Sequence, residues 1–322
     1  MSFEEFTKFH LIKYLKLNNF KYRQMAKDLL SIGATMKRMN KHITLYTLLF
    51  VSIGYTQSTA AADSTSNFSN HGPSYTTTAA GLAIAMTTVH FARYTPLRDK
   101  YKTSFFINEN PLYASNYDKA LHLYGGVVSS DMISSGLRLQ GYGKEQAILL
   151  GAASSSIFYL FIELEDAHIS YLGLDAIDLT ASMIGSGYPV LQYYVPFFNS
   201  FTPKFSYHSS GINTTMPNQY SPQFLSDHEG QTYWVGVTVA DLLPASYQES
   251  YPRWIGVAAG FSMRNLGHNT RKEYFITLDV DLREFDTKSD FVNAVLRTLN
   301  YIHFPMPGIK FAQGKPQFGI YF

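Results

Sequence analysis

Asp118-Lys119-Ala120-Leu121-His122 opens a weakly polar stretch that passes through Glu163-Leu164-Glu165-Asp166 and closes with Asp175 and Asp178 ahead of Gly185 and Gly187. On a helix, His122 lies one turn after Asp118 and Lys119, so the three share one face. Asp118 and His122 then meet as acceptor and donor, or ligate one ion together. Gly125 to Ser135 and Gln146 to Ile162 carry almost no charge. An acid inside such a bundle needs a partner.

Working outward, helical spacing predicts a first helix over Thr76 to Phe91. A second runs from near Asn116 to about Leu139, where Gly141 and Gly143 end it, and a third from Lys144 to Ala167. A fourth runs from after Gly173 to about Tyr194. Ala147, Gly151, Ser154, Ser155, Ser182, Gly185 and Gly187 stand where a soluble core carries Leu. Small residues let helices approach closely, a habit of membrane bundles. Each apolar run is marginal for spanning a bilayer, so a tight bundle lying against a membrane fits equally well.

After Asn199 the pattern changes. Phe201 to Ser226 reads as a polar loop with Pro203, Pro217 and Pro222. Alternation then marks strands over Tyr233 to Val239, Trp254 to Met263 and Tyr274 to Val280. Thr287 or Ser289 caps an amphipathic helix striped by Phe291, Val292, Val295, Leu296, Leu299 and Ile302. The tail Phe318-Gly319-Ile320-Tyr321-Phe322 spaces apolar residues two apart, like an outer-membrane strand or a short terminal core strand. Four strands are too few for the smallest closed barrel of about eight. The expected class is α+β: a bundle of about four helices over 76–199, then an antiparallel module over 200–322 whose sheet the last helix covers. Asp279 and Asp281 share one side of a strand and read as an exposed sheet face, and Trp234 with Trp254 as a cross-strand core pair.

Met36-Lys37-Arg38-Met39-Asn40-Lys41, an apolar run from Ile43 to Tyr55 and the small residues Ser58 to Ala62 have the layout of a secretory signal peptide. Residues 1–62 are therefore expected to be an over-extended start plus that signal, and 63–75 a flexible leader. The mature chain would be exported. Net charge is +2, with 16% charged and 16% aromatic residues. The near balance gives no electrostatic case for nucleic acid, and the aromatic excess leans towards membrane contact or a large sheet. Cysteine is 0, which excludes disulfides, thiolate metal sites, cysteine nucleophiles and a cysteine-linked lipid within these residues.

Tyr117 to His122, Glu163 to Asp166, and Asp178 with Gly185 seven residues on resemble an uncharacterised YfiM-like family of predicted periplasmic lipoproteins. Its larger Bacteroidetes-type members look closer still, through Gly230 to Trp234, Leu278 to Leu282, Leu299 to Pro305 and the terminal Ile320-Tyr321-Phe322. Ser182 stands where the family usually has Asn or Asp, which bears on metal ligation there. A fainter likeness reaches VanZ-like membrane proteins. The resemblance implies a periplasmic or outer-membrane address in a Gram-negative bacterium and a shared polar constellation.

The candidate site residues are Asp118, Lys119, His122, Glu163, Asp166 and Asp178. Together they suit a divalent ion or acid–base work; metal and cofactor stay open. The bland reading is that Lys119 and His122 pair with Glu163 or Asp178 to lock helix register. Two functions are carried forward. One is a structural or assembly component that docks a membrane or envelope protein partner. The other is a membrane-surface hydrolase or transferase acting on a lipid or cell-wall precursor. No nucleophile elbow, His-Glu-x-x-His or phosphate loop is present.

Overall fold

A computed structural model describes residues 75–108, 116–211, 223–266 and 269–322. The expected signal peptide and nearly all of the leader lie outside the described residues. The chain divides into two compact units. The described part of the first is the helix α1 (Tyr75–Val89) as far as Thr87. The second unit holds everything from Thr88 onward.

That second unit begins with a π-helical turn, His90–Tyr94, and the short α2 (Thr95–Tyr101). Three long helices follow: α3 (Asp118–Leu139), α4 (Lys144–Asp166) and α5 (Ala176–Tyr194). Their ends have local causes. Gly141 at φ +93° turns the chain after α3. The Asp175 carboxylate caps α5 by accepting from the Ile177 and Asp178 amides. Their close approach depends on glycine. A Cβ at Gly185 would fall on the Leu123 carbonyl, and one at Gly151 on the Ser134 hydroxyl. Inside, Ser155 Oγ lies 2.6 Å from Ser129 Oγ and 2.7 Å from Ser186 Oγ, so one hydroxyl chain ties all three helices. Among the described residues α4 alone is long and apolar enough to cross a membrane.

The remainder is one antiparallel meander of six strands in the order β1 to β6. Its strands are β1 (Phe201–Tyr207), β2 (Gln231–Val237), β3 (Ile255–Arg264), β4 (Arg271–Val280), β5 (Met306–Ala312) and β6 (Lys315–Tyr321). The α+β class stands, with two more strands than expected. Phe201 to Tyr207 is not loop. Its apolar residues Phe201, Pro203, Phe205 and Tyr207 alternate with Thr202, Lys204 and Ser206, and it tolerates Pro203 because it pairs with a full strand on one side only. Along its other edge Phe205 makes a single bridge to Ile302.

Register gives the sheet two unlike faces. Phe205, Tyr233, Phe261, Tyr274 and Phe311 form one row, and Pro203, Val235, Ala259, Ile276, Ile309 and Phe318 the next. The start of α3 covers part of the aromatic row, where Tyr117 packs edge-on against Tyr233 and Phe261. Further along, Ile276, Phe318 and Ile320 stay 55%, 81% and 68% exposed. The opposite face buries Lys204, Ser206, Thr232, Thr277 and Asp279 around Trp234. Asp279 and Asp281 are therefore buried rather than exposed. Trp234 stacks on His303 at 3.8 Å, whereas Trp254 lies half exposed against Phe285, so the two tryptophans are not a pair.

The last helix, α6 (Asp290–Leu299), is capped by Ser289 as one of the two expected residues. It does not lie over the sheet. Arg297 ties it to Asp131 of α3 at 2.8 Å, and Phe291, Val292 and Val295 face outward. Asn300 and His303, just beyond it, fill the polar face instead.

Candidate functional site

Each site residue sits near a helix end. Asp118 and Lys119 begin α3, His122 follows one turn later, Glu163 lies in the last turn of α4, and Asp178 lies in the first turn of α5. The Lys119 ammonium is the hub. It reaches Asp118 at 3.0 Å and both Asp175 and Asp178 at 2.8 Å. One Glu163 oxygen, Oε2, accepts the Asp175 amide at 2.9 Å. His122 Nδ1 lies 3.1 Å from Ser182 Oγ, and its Nε2 stands 3.7 Å from Asp178 Oδ2. One donor atom from each of His122, Glu163 and Asp178 lies within 4.8 Å of the other two.

The electrostatics follow from one cation among several acids in a nearly dry site. Burial, countered by the Asp175 amide and reinforced by Asp166 and Asp178, pushes the Glu163 carboxyl up to about 8. Burial holds the His122 imidazole down at about 4 against the pull of Asp118, so it is neutral at physiological pH. Burial also raises Asp118 and Asp178, which Lys119 only partly offsets. For Lys119 itself, burial is outweighed by hydrogen bonds to Asp175, Asp178 and Asp118, and its pKa rises. The result is a neutral imidazole beside a protonated Glu163 carboxyl, with Asp178 paired to Lys119. Such a set can exchange a proton or accept a cation.

Asp166 meets this set through its charge, which acts on Glu163 and is acted on by Asp178, and its side chain turns elsewhere. It faces Arg93 at 3.7 Å, in a neighbouring network where Glu165 meets Arg98 at 3.0 Å and His90 at 3.2 Å. His90, at the start of the π-helical turn, is buried there. Asp175 and Ser182, absent from the expected set, belong to the site. The capping position of Asp175 and the one-turn spacing of Ser182 from Asp178 are the signals that would have found them.

A second buried cluster, in the sheet, was also missed. Lys204 reaches Asp279 Oδ2 at 2.8 Å, the Val280 carbonyl at 2.7 Å and Asn300 Oδ1 at 3.2 Å. His303 lies 3.3 Å from Asp279 and 3.2 Å from the Thr277 hydroxyl. Nearby, Asp281 accepts from Thr238 and Arg283 at 2.6 Å each.

Residues 106–194 match the model of a family described as predicted periplasmic lipoprotein, DUF2279. No curated protein and no solved structure matches the chain. The matched segment spans α3, α4 and α5, and so carries every residue of the helical cluster, while the sheet lies beyond it. The match supports an exported protein of the cell envelope, similar over its helices to predicted periplasmic lipoproteins.

Proposed function

We propose that this exported protein is a structural or assembly component of the cell envelope, held against membrane lipid by its apolar outer surface. The observation that carries the reading is an inverted distribution of polarity in both halves of the larger unit. The helices bury Ser134, Ser155 and Ser186 while Met132, Leu149, Met183 and Ile184 face outward. The sheet buries Lys204, Thr232 and Asp279 while Ile276, Leu278, Phe318 and Ile320 face outward. Exposed apolar side chains in such number, over a polar interior, call for a nonpolar neighbour. Lipid-facing strands alternate in this same sense, apolar out and polar in.

Fractionation of cells expressing the full chain tests this. The protein should sediment with membranes, resist high salt and come off in detergent. The triple variant Ile276→Glu, Phe318→Glu, Ile320→Glu should move to the soluble fraction while keeping its circular dichroism. Wild-type protein recovered wholly in the soluble periplasmic fraction would overturn the proposal.

The opposed shifts of Glu163 and His122 favour a second reading, a membrane-surface hydrolase or transferase. His122→Ala and Glu163→Ala separate the two. Folded, correctly localised protein with a lost cellular phenotype supports the enzyme, and misfolding relieved by making the whole set apolar supports a register lock.

A further inference from the structure

We propose that His122, Glu163 and Asp178 bind one divalent transition-metal ion. The three come from α3, α4 and α5, with donor atoms within 4.8 Å of each other. Metal–ligand bonds of about 2.0–2.2 Å place tetrahedral donors roughly 3.4 Å apart, so modest side-chain rotation closes the site. Nε2 and Asp178 Oδ2 stand 3.7 Å apart, too far to share a proton directly.

Each ligand's other polar atom is already held. Ser182 engages His122 Nδ1, Lys119 engages Asp178 Oδ1, and the Asp175 amide engages Glu163 Oε2. Outer partners of this kind orient metal ligands and fix the imidazole tautomer. They leave His122 Nε2, Asp178 Oδ2 and the second Glu163 oxygen for an ion. The Lys119 ammonium pairs with the other oxygen of Asp178, Oδ1.

A separate observation concerns Asp118. Its side chain keeps 7% exposure; Oδ2 is paired with Lys119, and Oδ1 has no hydrogen-bond partner. Lying one turn before His122, it faces the same cluster. Asp118, Asp175 and Asp178 thus share one lysine, with Glu163 beside them, an acid-rich setting that suits a divalent ion.

Donor chemistry selects the class. One imidazole and two carboxylates, in a chain with 0 cysteines, suit Zn²⁺ or Mn²⁺ better than the all-oxygen cages of Ca²⁺ or Mg²⁺. Three protein ligands leave a coordination position open, as catalytic sites do. The His122 side chain keeps 21% exposure, which gives an ion a way in. This site does not depend on how the protein meets a membrane.

The test uses full-length protein in detergent, purified without a histidine tag, stripped with EDTA and titrated calorimetrically with ZnCl₂, MnCl₂ or MgCl₂. One equivalent of Zn²⁺ or Mn²⁺ per chain is expected. Glu163→Gln and His122→Ala should each weaken binding by roughly 100-fold or more, and Ser182→Ala by roughly 10-fold. Glu145→Gln, an exposed change on α4, should leave binding unchanged. Circular dichroism confirms folding, and near-isosteric Glu163→Gln carries the test if His122→Ala misfolds. Absence of stoichiometric binding by folded wild type, binding indifferent to Glu163→Gln, or Mg²⁺ bound as tightly as Zn²⁺ would each overturn the assignment.

Discussion

Two lysines, one buried and one partly buried, stand at the centres of two polar clusters, and their surroundings differ. Lys204, in the sheet, has one carboxylate partner, a carbonyl and an amide oxygen, and the cluster is closed over by Trp234 and His303. Lys119, in the helices, is shared among Asp118, Asp175 and Asp178, with Glu163 alongside. Burial dominates at Lys204 and lowers its pKa, whereas at Lys119 the carboxylates win and raise it. A balanced, sealed cluster supports a framework. An acid-rich cluster with an accessible imidazole is poised to take up something positive.

The comparison breaks most readily at the sheet. Lys204→Met strands Asp279 in a dry interior and should cost about 3–5 kcal/mol in denaturant unfolding. A loss below about 1 kcal/mol would mean that water reaches the cluster. Next in size is acid sensitivity beside it. Burial opposes ionisation of Asp281, but Arg283 and Thr238 hold its carboxyl down from 3.8 to about 2. A depressed folded-state pKa contributes stability above the unfolded value that is lost as pH falls through the folded one. About 2 kcal/mol should therefore disappear between pH 4 and pH 2, and Asp281→Asn should flatten that part of the profile. In the helices, Gly185→Ala puts a methyl group against the Leu123 carbonyl and should destabilise by about 1–3 kcal/mol. The smallest effect is expected at Glu163→Gln without metal, under about 1 kcal/mol near pH 7, because a carboxyl raised to about 8 is already mostly protonated. A loss as large as that of Lys204→Met would erase the contrast between the clusters.

The helices were legible because their punctuation is local. Gly141 and Gly143, Lys144, Gly173 and Tyr194 bracket α3, α4 and α5 within two or three residues of their observed ends. Strands β2, β3 and β4 announced themselves by alternation. β1 and β5 did not, because Pro203, Pro307 and Gly308 are residues that sheets usually exclude. The sheet cluster was hidden for another reason. Asp279 looked solvated because its partner Lys204 lies 75 residues earlier, in a segment taken for loop. With Lys204 on a strand, two acids on one face become a buried pair. In the helical cluster, Asp118, His122 and Asp178 share spacing cues that a sequence displays. The departure of Asp166 towards Arg93 depends on which way the last turn of α4 faces.

The glycine contacts between α3 and α5 have a mechanical consequence. Gly126 lies against the Ser182 carbonyl and the Ser186 amide, and Gly185 against Leu123, so main chain meets main chain with no side chain to yield between them. The approach of the two helices that carry His122 and Asp178 is thus gauged by backbone, like a caliper locked at one setting. An occupant of the wrong radius meets a frame that cannot widen without parting two helices.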